Sequence, residues 1–138
     1  MPFTHTQTIR FQHCDPAGIV FYPRYFEMIN TMMEEWMASM GRPFAQMHGP
    51  DAHGVPMAGL TIDFTAPSRL GERLDFTVTP EKIGRSSARL SIVATGDGVQ
   101  RFACTATIVW LNLSTMRSDP WPDDLRGGMT ASMERTLQ

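Results

Sequence analysis

One long helical stripe of apolar residues restricts the folds open to this chain of 138 residues. From Pro23 to Met40, apolar side chains recur every three or four positions, which places them on one face of a helix of about five turns. Pro23 suits the first helical position, and Gly41 suits the residue that follows the helix. The stripe consists of Tyr22, Tyr25, Phe26, Ile29, Met32, Met33, Trp36 and Met40. The pattern predicts an amphipathic helix with one face in a core.

Segments with a period of two lie on both sides of this helix. Residues 4–13 alternate weakly and predict a first strand, and stronger alternations at 58–65, 74–79, 88–94 and 100–113 predict four more. The sequence TGDGV at 95–99 predicts a tight hairpin turn between the last two strands. This order predicts an α+β domain in which the helix covers one face of an antiparallel sheet. A second subunit is the natural cover for the other face.

Composition limits the partners and the location of the chain. The net charge is −2 and Lys82 is the only lysine, so we expect no nucleic-acid or membrane partner. Cys14 and Cys104 lack the spacing of metal ligands and predict reduced thiols, and no apolar run has the length of a signal peptide or a membrane span. We expect a cytoplasmic protein with a single domain over residues 1–138. Its core lies at about 4–114, and a Pro- and Asp-rich tail at 115–138 ends in a short helix.

The segment CDPAGIVFYPRYFEMI, residues 14–29, stands where the first strand meets the helix. Together with the order of the elements, it resembles the hotdog-fold acyl-CoA thioesterases, and most closely the 4-hydroxybenzoyl-CoA thioesterase family. That family carries an acid-x-x-G-x-V-x-(Y/H) run before its central helix, and the resemblance covers roughly residues 7–113. It implies a hotdog fold, with an antiparallel sheet of about five strands wrapped around one long central helix. It also implies a homodimer, paired again into a homotetramer, with active sites at subunit interfaces.

Asp15 is the acid of this junction. Thioester hydrolysis needs a nucleophile or an activated water, and an ionised carboxylate supplies either by attacking the carbonyl or by taking a proton from water. The sequence leaves both routes open. An Asp-Pro pair also opens turns, so a purely structural role is the alternative. The resemblance implies that Asp15 is the catalytic carboxylate, that the backbone N–H of Tyr22 polarises the thioester carbonyl at the helix start, and that Gly18 lets substrate approach the backbone.

The same resemblance assigns the binding of coenzyme A to the turn EKIGRSSAR, residues 81–89. Arg85, with Ser86 and Ser87, is the candidate there, because arginine holds phosphate through paired hydrogen bonds. A solvated hairpin turn is the alternative. Further candidates for contact with the acyl group are Phe21, Trp36 and Met57.

The histidines are interpreted as solvated residues and not as catalytic or metal-binding groups. His13 is interpreted as a solvent-facing residue at a strand end, with an acid–base role as the alternative. His48 and His53 lie in the loop before the second strand. We expect both side chains to be solvated, and the alternative is that they line a pocket. Since no cluster has metal-ligand spacing, we expect no metal. We also expect no cofactor, because coenzyme A is part of the substrate.

The expected function is hydrolysis of an acyl-CoA thioester. CDPAGIVFYP is closer to the aromatic-acyl branch, which favours a benzoyl or hydroxybenzoyl group, and a short- or medium-chain aliphatic acyl-CoA is the alternative. Two other classes stay open. One is a hydratase of the same fold, which uses a histidine near its central helix, although residues 23–40 contain none. The other is a non-catalytic acyl-CoA-binding protein.

Overall fold

The computed structural model describes residues 1–133 of the chain as one long helix wrapped by an antiparallel sheet. The helices are α1 (Pro23–Ser39), α2 (Phe44–His48) and α3 (Asp123–Ala131). The strands are β1 (Phe3–Thr8), β2 (His53–Gly54), β3 (Met57–Phe64), β4 (Arg73–Ile83), β5 (Ser87–Gly96), β6 (Val99–Val109), β7 (Leu111–Asn112) and β8 (Arg117–Ser118). Five strands form the main sheet in the order β1-β4-β5-β6-β3, and β2, β7 and β8 form a second, small sheet.

The predicted central helix is confirmed almost to the residue. It begins at Pro23 and ends at Ser39, one residue before the predicted end, and Gly41 follows with φ +88°, in the left-handed region that favours glycine. The apolar stripe packs on the inner face of the main sheet, where the alternating residues of β4, β5 and β6 are buried. The largest fully buried side chains include Trp36 from the helix and Phe76 and Phe102 from the sheet. The core is therefore the space between α1 and the sheet.

The four strands predicted after the helix are all present, and their pairing is antiparallel. The last one, predicted over 100–113, ends at Val109, and Leu111–Asn112 belongs to the small sheet as β7. β5 and β6 are joined by Asp97 and Gly98, whose φ angles are 50° and 75°. A two-residue hairpin turn with both residues at positive φ matches the right-handed twist of the strands. This turn explains the TGDGV sequence.

The first strand is shorter than predicted, because β1 ends at Thr8. The chain then leaves the sheet and forms a single 3₁₀ turn, Phe11–His13. The backbone N–H of Arg10 donates to Nδ1 of His13 at 2.8 Å, so a local hydrogen bond replaces sheet pairing at this point. The weak alternation over 4–13 continues through the end of the strand and therefore does not indicate this change of conformation.

The segment after residue 114 contributes to the core. Leu125 and Met129 of α3 are buried, and Trp121 packs against Trp110 at a ring distance of 5.7 Å. The sequence predicts a short helix in this tail but not its burial, because Asp- and Pro-rich segments usually lie at the surface. The sequence boundary at 114 is therefore not a boundary of the packed core.

Candidate active site

The residues between the 3₁₀ turn and α1 form a narrow antiparallel turn with Asp15 near its tip. Cys14 pairs with Val20 across this turn, and the backbone N–H of Asp15 donates to the Ile19 carbonyl at 3.0 Å. The N–H of Gly18 donates back to the Asp15 carbonyl at 2.9 Å, and Gly18 has φ +81°. The chain turns in the left-handed region at this residue, which explains the need for glycine.

The Asp15 carboxylate has one engaged oxygen and one free oxygen. Its Oδ1 accepts the backbone N–H of Ala17 at 2.9 Å, which closes a local turn of the kind that Asp-Pro sequences favour. No donor among residues 1–133 reaches the other oxygen, and the residue is half-buried. Asp15 therefore shapes its own turn and still presents one carboxylate oxygen for chemistry.

The backbone N–H of Tyr22 has no acceptor among the described residues, although most N–H groups around it are paired. The N–H groups of Phe21, Arg24 and Tyr25 donate to carbonyls of His13, Phe21 and Tyr22 at 2.8–3.1 Å. Pro23, the first residue of α1, has no N–H to offer. The first amides of a helix carry its positive partial charge. Tyr22 therefore presents an unpaired donor at the positive end of α1.

A groove between α1 and the edge strand β3, here termed the α1–β3 groove, holds two cavities. The helix-start cavity, about 570 Å³, is lined by the aromatic rings of Tyr22, Tyr25 and Phe64, with Ile19, Val20 and residues 65–67 around them. The second cavity, about 430 Å³, lies at the start of β3 and is mainly apolar, with Asn30 and His48 as its polar side chains. Asp15 lines neither cavity; its turn reaches the first through Ile19 and Val20. Both volumes are within the range of about 300–1,000 Å³ for small-molecule sites.

Arg85, Ser86 and Ser87 lie at the opposite end of the sheet from Asp15. The register pairs Thr8, at the end of β1, with Arg73, at the start of β4, whereas Ser87 pairs with Val109 at the far end of the sheet. Eleven-residue β4 spans about 33 Å between these two ends. The structure does not bring the two sets of predicted site residues together within one chain.

The turn that carries Arg85 is held by the C-terminal segment. The guanidinium of Arg126 donates to the Gly84 carbonyl at 2.6 Å, and the backbone and ring N–H groups of Trp121 donate to the carbonyls of Arg85 and Ser87 at 2.9 and 3.0 Å. The Arg85 side chain is exposed. No local pattern in the sequence reveals this support, since the partners are more than thirty residues apart.

Solvent exposure, which the sequence predicts for His13, His48 and His53, is found for His48 but not for His53. His13 caps the 3₁₀ turn, and burial lowers the pKa of its imidazole more than the nearby Glu27 raises it. His48 is exposed, lines the second cavity, and holds the Phe44 carbonyl through Nδ1 at 2.9 Å. His53 is largely buried, with Nδ1 on the Asp51 carbonyl and Nε2 on the Asp119 carboxylate. Solvation is therefore wrong for His53.

The three residues suggested for contact with the acyl group lie in different environments in the structure. Met57 lines the second cavity, and Phe21 is partly exposed with its ring 5.5 Å from that of Tyr22. Trp36 is fully buried and donates its ring N–H to Ser132 at 3.3 Å, so it cannot reach a substrate. Sequence patterns miss Tyr25 and Phe64 as cavity residues, because both fit core positions of their periodic segments.

Residues 1–133 contain no group of three or more His, Cys, Asp or Glu side chains arranged to hold a metal ion. No helix in this range is long and apolar enough to cross a membrane. Burial raises the pKa of the Cys104 thiol to about 11. This thiol is therefore protonated near neutral pH and is a poor nucleophile.

A five-stranded antiparallel sheet wrapped around one long helix is the hotdog fold. The sequence model of the protein family described as the thioesterase superfamily matches residues 17–103, so the chain belongs to that superfamily. The protein is thus a thioester hydrolase. Asp15 lies two residues outside the matched range.

Among relatives, a 1,4-dihydroxy-2-naphthoyl-CoA hydrolase from Thermosynechococcus vestitus is 25% identical over 131 residues, which cover 94% of this chain and 90% of the relative. A solved gentisyl-coenzyme A thioesterase has a TM-score of 0.82 at 22% identity, with 90% of this chain and 99% of that chain covered. A Staphylococcus aureus protein solved in complex with CoA has a TM-score of 0.89 at 17% identity, with 100% and 89% covered. At these identities, the two solved structures establish the fold alone.

Proposed function

We propose that this protein hydrolyses the CoA thioester of an aromatic acid, of the benzoyl, hydroxybenzoyl or a related hydroxyaryl type. The relatives named as hydrolases of 1,4-dihydroxy-2-naphthoyl-CoA and gentisyl-CoA support an aromatic acyl group. The helix-start cavity supports it independently, because aromatic rings line the wall next to Tyr22 and stack well with an aryl group. A CoA substrate also agrees with the cytoplasmic location predicted from the sequence.

The unpaired N–H of Tyr22 is the observation that carries this proposal. A thioester carbonyl placed against it gains negative charge on oxygen as a nucleophile adds, and the positive end of α1 stabilises that charge. Because the donor is a main-chain group, its position is fixed by the fold and does not depend on the Tyr22 side chain. Tyr22 is 59% exposed, so its side chain is free to contact substrate.

Asp15 supplies the attacking group in one of two ways. The free carboxylate oxygen adds to the thioester carbon, the C–S bond breaks, and the CoA thiolate leaves and takes a proton; water then hydrolyses the resulting anhydride. In the other route, the carboxylate takes a proton from water, the hydroxide adds to the same carbon, the C–S bond breaks, and the proton passes to the departing CoA thiolate. Both routes use the same oxygen and the same Tyr22 donor.

A second copy of the chain completes the site in this proposal. β3 is the last strand of the main sheet and pairs only with β6 among the described strands, so its other edge is open. Leu60 and Phe64 on this strand are 37% and 44% exposed. An open, apolar edge strand favours antiparallel pairing with the same strand of a second copy. Such pairing turns the partner's sheet end for end, so the partner's Met57 end lies beside Phe64 and the helix-start cavity.

This dimer also brings the Asp15 of one protomer to the same end of the sheet as the Arg85 of its partner. Within one chain, the two lie at opposite ends of the sheet. In the antiparallel dimer, the Asp15 end of one protomer and the Arg85 end of its partner point the same way. We assign the CoA phosphates to Arg85, Ser86 and Ser87 of the partner subunit, because an exposed arginine next to serine hydroxyls suits phosphate.

Thiol release from a panel of aryl- and alkyl-CoA thioesters tests the proposal, with wild type compared with Asp15→Asn. Asparagine keeps the oxygen that accepts the Ala17 N–H and removes the charge, so the turn stays intact. We expect the variant to lose about a hundredfold or more in kcat. Asp97→Asn is the matched control, since it makes the same change at an exposed residue of the turn between β5 and β6 that lines neither cavity, and it should keep full activity.

Two results would contradict the proposal. Retained activity in Asp15→Asn would reduce Asp15 to a turn residue. A panel in which aliphatic thioesters exceed aromatic ones by more than about tenfold in kcat/KM, about 1.4 kcal/mol of discrimination, would replace the aromatic substrate by a short- or medium-chain aliphatic one.

A further inference from the structure

We propose that Ser68 is a positioning residue for this hydrolysis, because it joins the turn that presents Asp15 to the first turn of α1; this inference rests on the function proposed above. Ser68 is fully buried and lies in the loop between β3 and β4. No sequence motif marks it. Its contacts reach both parts of the candidate site.

The main chain of Ser68 holds the Asp15 turn. Its carbonyl accepts the backbone N–H of Val20 at 2.9 Å. Val20 pairs with Cys14 across the turn, and Ile19 next to it accepts the N–H of Asp15. A shift of Ser68 therefore moves the strand of the turn to which Asp15 is bonded.

The side chain of Ser68 holds the start of α1. Its hydroxyl oxygen accepts the Tyr25 hydroxyl at 2.8 Å, and both groups are buried. Tyr25 belongs to the first turn of α1, and its own N–H donates to the Tyr22 carbonyl at 3.1 Å. The Tyr25 ring also stacks on Phe64 in the wall of the helix-start cavity. One serine thus connects the element that carries the carboxylate to the element that carries the unpaired N–H.

Ser68 is itself held in place by hydrogen bonds from a buried arginine. Arg101 is 5% exposed and donates to the Pro67 carbonyl, to the Ser68 hydroxyl and to both carboxylate oxygens of Glu72, at 2.9–3.3 Å. The guanidinium holds the pKa of Glu72 below its ordinary value, so the pair stays ionised. A bidentate pair with this many additional bonds has one geometry. The loop therefore provides a rigid base for Ser68.

Positioning matters here because the carboxylate and the oxyanion donor come from two different elements. A misplacement of about 1 Å between reacting groups costs on the order of a hundredfold in rate. Loss of the Tyr25–Ser68 hydrogen bond leaves both elements folded but frees their relative position. The expected consequence is a lower kcat with little change in substrate binding.

The test is a double-mutant cycle in kcat with Ser68→Ala and Tyr25→Phe, assayed by thiol release well below the Tm of each variant. We expect each single variant to lose about tenfold in kcat with KM changed by less than about twofold. The double variant should lose no more than the worse single variant, because both changes break the same bond. Ser132→Ala is the matched control, since this buried serine accepts the ring N–H of Trp36 at the other end of α1. It should lower Tm and leave kcat unchanged.

The outcomes separate this inference from the function on which it rests. A wild-type protein that releases no thiol would overturn both. An active wild type with unchanged kcat in Ser68→Ala, or with losses that multiply in the double variant, would overturn the positioning role alone. If Ser68→Ala does not fold, Tyr25→Phe decides the matter, because it keeps the ring and its packing and removes only the hydroxyl.

Discussion

His53 forms hydrogen bonds to acceptors through both ring nitrogens. Nδ1 lies 2.6 Å from the Asp51 carbonyl, and Nε2 lies 2.9 Å from the Asp119 carboxylate. A carbonyl and a carboxylate only accept, so both nitrogens carry a proton when both bonds are made. The ring also stacks on Trp110 at 4.7 Å. Burial lowers the pKa of His53, but the bonds to Asp51 and Asp119 outweigh it, and the pKa lies above its ordinary value.

The sign of the resulting pH dependence follows from the raised pKa. The His53–Asp119 pair contributes its full stability below the unfolded-state pKa of about 6.5 and loses it as the pH rises through the higher folded-state value. The pKa of Asp119 is lowered by the same bond, so the acidic limit of this contribution lies below about 3.8. We expect the contribution of this pair to the unfolding free energy to fall between pH 5.5 and pH 8.5, and the fall to be small because solvent screens the partly exposed Asp119.

Urea unfolding of wild type and Asp119→Asn at these two pH values measures this effect. The loss of unfolding free energy in Asp119→Asn should be larger at pH 5.5 than at pH 8.5. Asp123→Asn, an exposed acid in the same segment, is the control and should keep the wild-type dependence. Equal pH dependence in wild type and Asp119→Asn would show that the pair contributes nothing.

Helix α3 acts as a brace for the turn between β4 and β5. Arg126 on this helix donates to the Gly84 carbonyl, and Trp121 just before it holds Arg85 and Ser87 through their carbonyls. These contacts use the main chain of the turn and leave the Arg85 side chain exposed. If Arg85 binds the CoA phosphates, α3 sets the position of that binding turn.

Arg126→Met tests this role of α3. We expect KM for an aryl-CoA to rise by about tenfold, because the partly buried Gly84 carbonyl loses a charged donor and the turn loosens. The kcat/KM for the N-acetylcysteamine thioester of the same acid, which lacks the nucleotide, should stay unchanged. Arg117→Met removes an exposed arginine from β8 and serves as the control. An equal loss with both substrates would mean that the variant damages the site generally.

Elements with a strong period are predictable from the sequence, and those held by distant contacts are not. The apolar stripe from Tyr25 to Trp36 and the alternation in β4 and β5 reflect burial on one face, which the sequence records directly. The early end of β1 is followed by a local hydrogen bond from the Arg10 N–H to Nδ1 of His13, which no period in the sequence records. The packing of α3 depends on Leu125 and Met129, whose spacing alone does not reveal a partner.

The candidate site divides in the same way. Asp15, Gly18 and Tyr22 lie within eight residues of one another, and a local sequence motif is enough to identify them as candidates. Ser68 and Arg101 reach the site through contacts across 33 to 48 residues of sequence, and neither belongs to a motif. The separation of Asp15 from Arg85 depends on the strand register, which periodicity does not fix.

At the scale of the whole molecule, the open edge of β3 and the α1–β3 groove form one continuous apolar region. Leu60 lies in the middle of β3, is partly exposed, and lines the second cavity. An antiparallel dimer through β3 would bury this residue near its two-fold axis, where each substitution acts twice. A charged residue introduced into β3 should therefore abolish both the dimer and the activity.

Leu60→Asp carries the corresponding prediction. Two carboxylates facing each other across the two-fold axis repel, and their burial is costly, so we expect a monomer in sedimentation velocity and a loss of at least about a hundredfold in kcat/KM. Met116→Asp is the control, because Met116 is exposed and has φ 58°, a conformation that aspartate tolerates. It should remain dimeric and active. A monomeric Leu60→Asp protein with full activity would place the complete site within one chain, and the partner's Arg85 would then have no role in it.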